Sequence, residues 1–222
     1  MRGKTMQTTK DIIFNTAVEL FSEKGYDNVS TREIARAADV NESTAYYYYK
    51  SKKALLDDIL AVYQRKLERY LITRGRVERY LKTDTPRELL QRLLPHFKDE
   101  EAVFMLRANR IVCMAQHTNP KARDIVMDHL MDKTAKSIKD ALDVLMEHGL
   151  IPVFDTKPFS VIWCDFMYSQ GVKHANRYFY GETEQLRSGD FSSYGNALID
   201  AALTGKLPGA HVQYRHDRDR LI

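Results

Sequence analysis

Apolar positions recur at helical spacing along most of the chain, and the strict alternation of a half-buried strand is scarce. The pattern predicts an all-α fold. The first amphipathic stretch is Thr9–Lys24, with Ile13, Ala17, Leu20 and Phe21 on one face, and Gly25 follows where a chain leaving a helix needs a positive φ. Ser30 ahead of Thr31-Arg32-Glu33 has capping-box spacing. It opens a short helix over Thr31–Ala38 that buries Ile34, Ala35 and Ala38. Asp39-Val40 breaks that helix, and Asn41 is placed to cap a third over Glu42–Tyr48. Ser51 caps a fourth, running from Lys52 through Leu55, Leu56, Ile59, Val62 and Tyr63 towards Tyr70, with Gly75 as a candidate stop.

Further along, Thr85-Pro86 marks a helix start with proline at the first helical position, predicting Pro86–Phe97. Helices are also expected over Glu100–Gln116, Pro120–Glu147, Pro158–Tyr180 and Phe191–Thr204, the second stopped by Gly149, the third by Gly181 and the last by Gly205. The remaining Leu207–Ile222 is polar and is expected to fray. This organisation divides the chain into a small N-terminal domain at 1–60, a larger helical domain at 61–206 and a polar tail at 207–222.

Composition narrows the class. The chain has 222 residues, 44% of them hydrophobic, which suffices for a sizeable core. The 34 basic and 30 acidic residues nearly balance, so a net charge of +4 says little by itself. Placement says more: residues 43–53 hold Lys50, Lys52 and Lys53 with no acid among them, directly after four tyrosines at 46–49. Cys113 and Cys164 are far apart in sequence and in no metal-ligand spacing, which suggests free thiols in a reducing cytosol. No apolar run of transmembrane length and no signal-peptide pattern is visible, so the cytoplasm is the expected location, without a membrane partner. No cofactor and no metal are expected. The seven histidines form no HExxH, and no phosphate loop, nucleophile elbow or dinucleotide fingerprint occurs. The Cys113/His117 pair, one helical turn apart, reads more simply as structural than as catalytic. An enzyme is not expected.

The chemistry-bearing constellation lies at 30–56. A short capped helix, a four-residue break and a second short helix are the parts of a helix-turn-helix. The second helix would present Ser43, Thr44, Tyr46, Tyr47 and Tyr48 outward, with Ala45 and Tyr49 inward. Hydroxyls at a helix N-terminus suit phosphate, tyrosines suit a thymine methyl or a base edge, and the lysines beyond suit phosphate neutralisation. Each feature alone also fits an ordinary solvated face; their order inside the capped motif favours DNA.

The residues Ala17, Leu20, Phe21, Gly25 and Tyr26, the run Ser30 to Ala35, Ala38-Asp39-Val40, Ser43 to Tyr49, Lys50-Ser51-Lys52 and Leu55-Leu56 together resemble the TetR family of bacterial transcriptional regulators. The resemblance covers about residues 9–60. It implies a sequence-specific, ligand-released repressor acting as a homodimer on a palindromic double-stranded DNA operator. It implies phosphate contact by Lys52, backbone contact by Tyr46, base contact by Tyr47 and Tyr48, and contacts by Thr31 and Arg32 at the start of the second helix. The departures are Asp39 where glycine is usual, Ala45 for leucine and Tyr49 for phenylalanine. Asp39 can adopt the left-handed conformation, and the other two exchange bulk between core positions.

The family's C-terminal domain dimerises and takes a small-molecule effector. Small residues on the last two helices (Gly171, Ala175, Gly195, Ala197, Ala201, Ala202) favour close helix approach between two chains, with packing inside one as the competing reading. Candidate effector contacts are Phe104, Arg107, Cys113, His117, Trp163, Phe166, Met167 and Gln170, with Trp163 and Phe104 as anchors. Ordinary core packing is the competing reading for the aromatics and Met167, and pairing with acids across the domain for Arg107 and Arg110.

Overall fold

Strong caps start most of the helices. The computed structural model describes residues 7–94, 99–181 and 190–206, and every regular element among them is helical. The elements are α1 Thr9–Lys24, α2 Thr31–Ala37, α3 Glu42–Tyr48, α4 Lys52–Tyr70, α5 Arg74–Tyr80, α6 Pro86–Gln91, α7 Asp99–Ala115 and α8 Pro120–Asp124. A π-helical segment, Ile125–Asp132, leads into α9 Lys133–Glu147, followed by α10 Thr156–Phe179 and α11 Asp190–Thr204. The expected tail lies outside the described residues, and the helix predicted over Pro86–Phe97 is shorter than expected: it ends at Gln91, and Arg92–Leu94 form turns.

At Ser30 the hydroxyl accepts from the Glu33 amide at 3.1 Å. The box is left half closed, because Glu33 turns to the Lys24 ammonium at 2.6 Å instead. Thr85 and Glu88 close theirs in both directions. Ser51 caps α4 through the Ala54 amide at 3.0 Å. Asn41 holds the N-cap position of α3 with an extended backbone but without a side-chain cap bond. Asp39 sits at φ 53°, so the turn between α2 and α3 takes its left-handed residue without glycine.

Two expected helices are interrupted. The fourth ends at Tyr70, and after three intervening residues α5 begins at Arg74, with Gly75 in its first turn rather than as a stop. The helix predicted over Pro120–Glu147 widens into the π-helical segment for two turns, where each turn takes up an extra residue. The Thr134 hydroxyl follows this wider pitch and donates to the carbonyl of His129, five residues back, at 2.9 Å.

Two hydrophobic clusters hold the fold. The first joins α1–α4 to the inner face of α7, where Met105, Ala108, Ile111, Val112 and Ala115 pack with Ile13, Phe21, Ile34, Leu56 and Ile59. The second joins α5, α6, α9, α10 and α11 around Trp163, Leu142, Leu145 and Ile199. In the last two helices Ala175, Gly195, Ala201 and Ala202 are buried within the chain, and only Ala197 of the expected α11 small residues is exposed. A Cβ added at Gly195 would stand 2.8 Å from Leu94 Cδ1, so this small residue serves the close approach of α11 to residue 94, just beyond α6. None of the helices is long and apolar enough to cross a membrane, among the described residues.

Candidate DNA interface and internal cavity

The helix-turn-helix is built as an apolar wedge with a polar-aromatic outer face. Ala45 and Tyr49 point into the first cluster. The Tyr49 hydroxyl donates to Asp58 of α4 at 2.9 Å; burial and that carboxylate push the phenol far above its ordinary range. With those two residues fixed, the period of α3 turns Ser43, Tyr46, Tyr47 and Tyr48 outward. Tyr47 is the most open at 71%, against 46% for Tyr46 and 37% for Tyr48. Its ring meets Tyr48 edge-on at 5.1 Å, and the Lys50 ammonium stands 5.8 Å from its centroid. Thr44 and Thr31 are half-buried.

Arg32 projects from the first turn of α2 and pairs with Glu42 at the start of α3 at 3.0 Å. Arg36, one turn further along α2, lies in the same open groove as Arg32 and Thr44. Sequence reasoning left Arg36 out, although its spacing of four from Arg32 was the available signal.

Lys52 has a job inside the domain. Its ammonium donates to the carbonyl oxygens of Tyr26 and Val29, each at 2.9 Å, and lies 4.2 Å above the Tyr26 ring. Two of its three N–H groups therefore hold the turn between α1 and α2, which leaves one for a phosphate.

A cavity of about 160 Å³ lies where α4, α7, α9 and α10 meet beside the π-helical segment. Its wall includes Tyr63, Leu67 and Tyr70 of α4, Leu71 just after it, Met105, Leu106 and Asn109 of α7, Leu130, Thr134 and Ser137, and Cys164, Met167, Tyr168 and Gly171 of α10. The Tyr63 hydroxyl donates to Asn109 Oδ1 at 2.9 Å. Ser137 donates to the Ile72 carbonyl at 2.9 Å, and Cys164 to that of Leu130 at 3.1 Å. Burial pushes the Cys164 thiol up to about 11 and the Tyr168 phenol up to about 12, so both stay protonated and uncharged near neutrality.

Of the eight expected effector contacts, Met167 borders this cavity. Arg107 instead bridges α7 to α1, with Glu19 and Glu23 each at 3.3 Å. Phe104 stacks on Phe14 at 6.1 Å. Trp163 is sealed in the second cluster, edge-on to Phe159 at 5.8 Å, and its indole N–H has no acceptor among the described residues. Cys113 sits behind Tyr168 at 3.6 Å from its hydroxyl. His117 is exposed, Phe166 packs on the second cluster, and Gln170 is buried outside the cavity wall. The reason is rotational: α10 turns Cys164, Met167 and Gly171 to the cavity and Trp163 away, and α7 turns Met105 and Asn109 inward while Phe104 and Arg107 face α1. The tyrosines and Asn109 were missed because they come from separate helices, whose relative rotation no single periodicity reveals.

The family model described as "Bacterial regulatory proteins, tetR family" matches residues 13–59. YttP of Bacillus subtilis strain 168, described as a "Probable HTH-type transcriptional regulator", is 44% identical over 54 residues, 24% of this chain and 26% of YttP. IcaR of Staphylococcus aureus strain Newman, named the HTH-type negative transcriptional regulator of the biofilm operon icaADBC, is 40% identical over 48 residues, 22% of this chain and 26% of IcaR. The chain thus matches about a quarter of the length of these curated relatives. The TetR-family transcriptional regulator PfmR of Thermus thermophilus shares the fold, with a TM-score of 0.56 and 20% identity over 89% of this chain and 97% of that one. So does a protein of Saccharomonospora viridis solved in complex with choline, with a TM-score of 0.60 and 22% identity over 86% and 94%. The helix-turn-helix at 13–59 is thus similar in sequence to that of the tetR family of bacterial regulatory proteins, and the rest of the chain shares the fold of the solved structures.

Proposed function

We propose that this protein is a sequence-specific DNA-binding transcriptional regulator: a homodimeric repressor of a palindromic operator that a small molecule releases. The observation that carries the reading is the outer face of α3, where Tyr46, Tyr47 and Tyr48 stand exposed on a helix anchored by Ala45 and Tyr49. Ser43, Thr44 and Lys50 extend this face, and Thr31, Arg32 and the remaining N–H of Lys52 serve as phosphate contacts. A single short recognition helix reads few base pairs, so two copies spaced by about 34–36 Å, or a multiple, supply selectivity. Val161 and Ile162 on the open face of α10, both about half exposed, are the apolar positions offered to a second copy.

Release works through α4. One end of this helix carries Lys52 and the turn it holds, and the other end supplies Tyr63, Leu67 and Tyr70 to the cavity wall. A ligand that fits the cavity only when α4 has shifted draws the two reading heads off their spacing, and its preference for that state sets how complete release is. The division at 1–60 and 61–206, with a separate tail, and a cytoplasmic location complete the reading.

Selection from a random duplex pool tests it, followed by sedimentation of the protein with the winning duplex. The expected result is a palindrome bound by two chains, with affinity falling steeply as salt rises. Recovery of no preferred sequence would overturn the reading.

A further inference from the structure

The cavity deepens this reading, because its wall restricts what can enter; the argument rests on the ligand-responsive part of the proposed function. We infer that the ligand is an uncharged molecule of about one aromatic ring that presents a hydrogen-bond-accepting oxygen to the side-chain amide of Asn109.

Charge is decided by what the wall lacks. Among the described residues it contains no Asp, Glu, Lys, Arg or His. An ion entering it would shed its hydration and meet no counter-charge. The acid nearest to Tyr70, Glu101, is already paired with Lys66 at 2.8 Å and accepts from the Tyr70 hydroxyl at 3.4 Å.

The acceptor oxygen follows from which donors are spent. Ser137, Thr134 and Cys164 give their protons to main-chain carbonyls, and Tyr63 gives its proton to Asn109 Oδ1. That bond orients the Asn109 amide and leaves its Nδ2 hydrogens without an acceptor among the described residues. A carbonyl or ether oxygen on the ligand satisfies them; a purely apolar ligand does not.

Size follows from the volume and from Gly171. A space of about 160 Å³ compares with the roughly 150 Å³ apolar cavity known to admit benzene. Gly171 is inside α10, where alanine is the more stable helix residue. A Cβ there would meet no atom within 4 Å, so this position adds open space to the wall.

The test is calorimetric titration of the full chain with four single-ring probes: acetophenone, ethylbenzene, benzoate and phenyltrimethylammonium. Acetophenone is expected to bind, ethylbenzene about threefold or more weaker, and both ions about tenfold or more weaker. The double variant Tyr63→Phe/Asn109→Leu removes the amide together with the hydroxyl that would replace it, and brings acetophenone down to the affinity of ethylbenzene. Gly171→Leu fills the cavity and abolishes binding of both neutral probes while the chain still melts cooperatively; if that variant does not fold, Gly171→Ala weakens both several-fold. Equal or tighter binding of either ion, binding of none of the four, or acetophenone binding that survives Gly171→Leu would overturn the inference. Duplex selection separates the two levels. Selective duplex binding without neutral-probe binding removes the ligand class and leaves the regulator. Acetophenone binding with the stated preferences but no selected duplex keeps the ligand class and removes the regulator.

Discussion

The ammonium of Lys52 stands 4.2 Å above the ring of Tyr26 and donates to that residue's own carbonyl oxygen at 2.9 Å. The same ammonium reaches Val29, so one side chain from α4 ties down both ends of the turn that precedes α2. Lys52→Met is therefore expected to lower stability by about 1–3 kcal/mol, because two part-buried carbonyls lose a charged donor. It also weakens every duplex alike, with a salt slope smaller by about 1. Thermal melts beside salt titrations check this. A melt identical to that of the parent chain would mean that Lys52 acts on phosphate alone.

Tyr47 and Tyr48 differ in exposure and so in expected effect. Tyr47→Ala should cost about 1–3 kcal/mol more on the selected operator than on random duplex. Tyr48→Ala has a smaller selective loss, since Tyr48 is the less open of the two and part of its ring leans on Tyr47. Competition binding with operator and scrambled duplex reads the difference. Equal losses on both duplexes would assign the pair to the DNA backbone.

His129 makes the fold sensitive to mild acid. It is nearly buried on the π-helical segment, near Glu68 of α4, with the Lys133 ammonium 3.1 Å from its Nε2. Burial first, and Lys133 second, hold its imidazole below the usual 6.5, against the opposite pull of Glu68 and Asp128. Because the folded chain holds the proton less tightly, the unfolded chain takes it up first. The contribution to stability is complete above pH 6.5 and is lost as the pH falls through the lowered value. Melts between about pH 8 and pH 5 should show this loss, and His129→Gln should flatten it. An unchanged slope in the variant would place the acid sensitivity elsewhere.

Ile162 and Ala201 distinguish surface from core in the last two helices. Ile162→Glu should yield a monomer by sedimentation, with melting altered by no more than about 0.5 kcal/mol. Ala201 is only 4% exposed within the chain, so Ala201→Glu buries an unpaired charge and should cost about 3 kcal/mol or more. It therefore tests the core and not the interface. A dimeric Ile162→Glu would move the proposed contact off this face of α10.

What the sequence made legible was local. Ser30, Ser51, Thr85 and the left-handed Asp39 announce their helix boundaries within four residues, and the outward face of α3 follows once Ala45 and Tyr49 are fixed. The break after Tyr70 was not legible, since no glycine or proline stands at 71–73 and Gly75 tolerates the first turn of α5. The π-helical segment was hidden for another reason. Ile125, Val126, Met127, Leu130 and Met131 are apolar almost all round the axis, so their spacing does not distinguish one register from the other. The cavity and the internal role of Lys52 depend on pairs separated by more than twenty residues, which helical spacing does not encode.

The sharing of α7 between the helix-turn-helix and the rest of the fold bears on how this chain can be recombined with others. A chimera cut at residue 60 would strip Phe21, Ile34 and Leu56 of the α7 side chains that complete their packing and confront them with a foreign helix. Transplanting this helix-turn-helix would therefore require the inner face of α7 to travel with it, as Met105, Ala108, Ile111, Val112 and Ala115. On the proposed function, new operator specificity is more safely introduced by changing only the outward residues of α3, which leave that shared packing untouched.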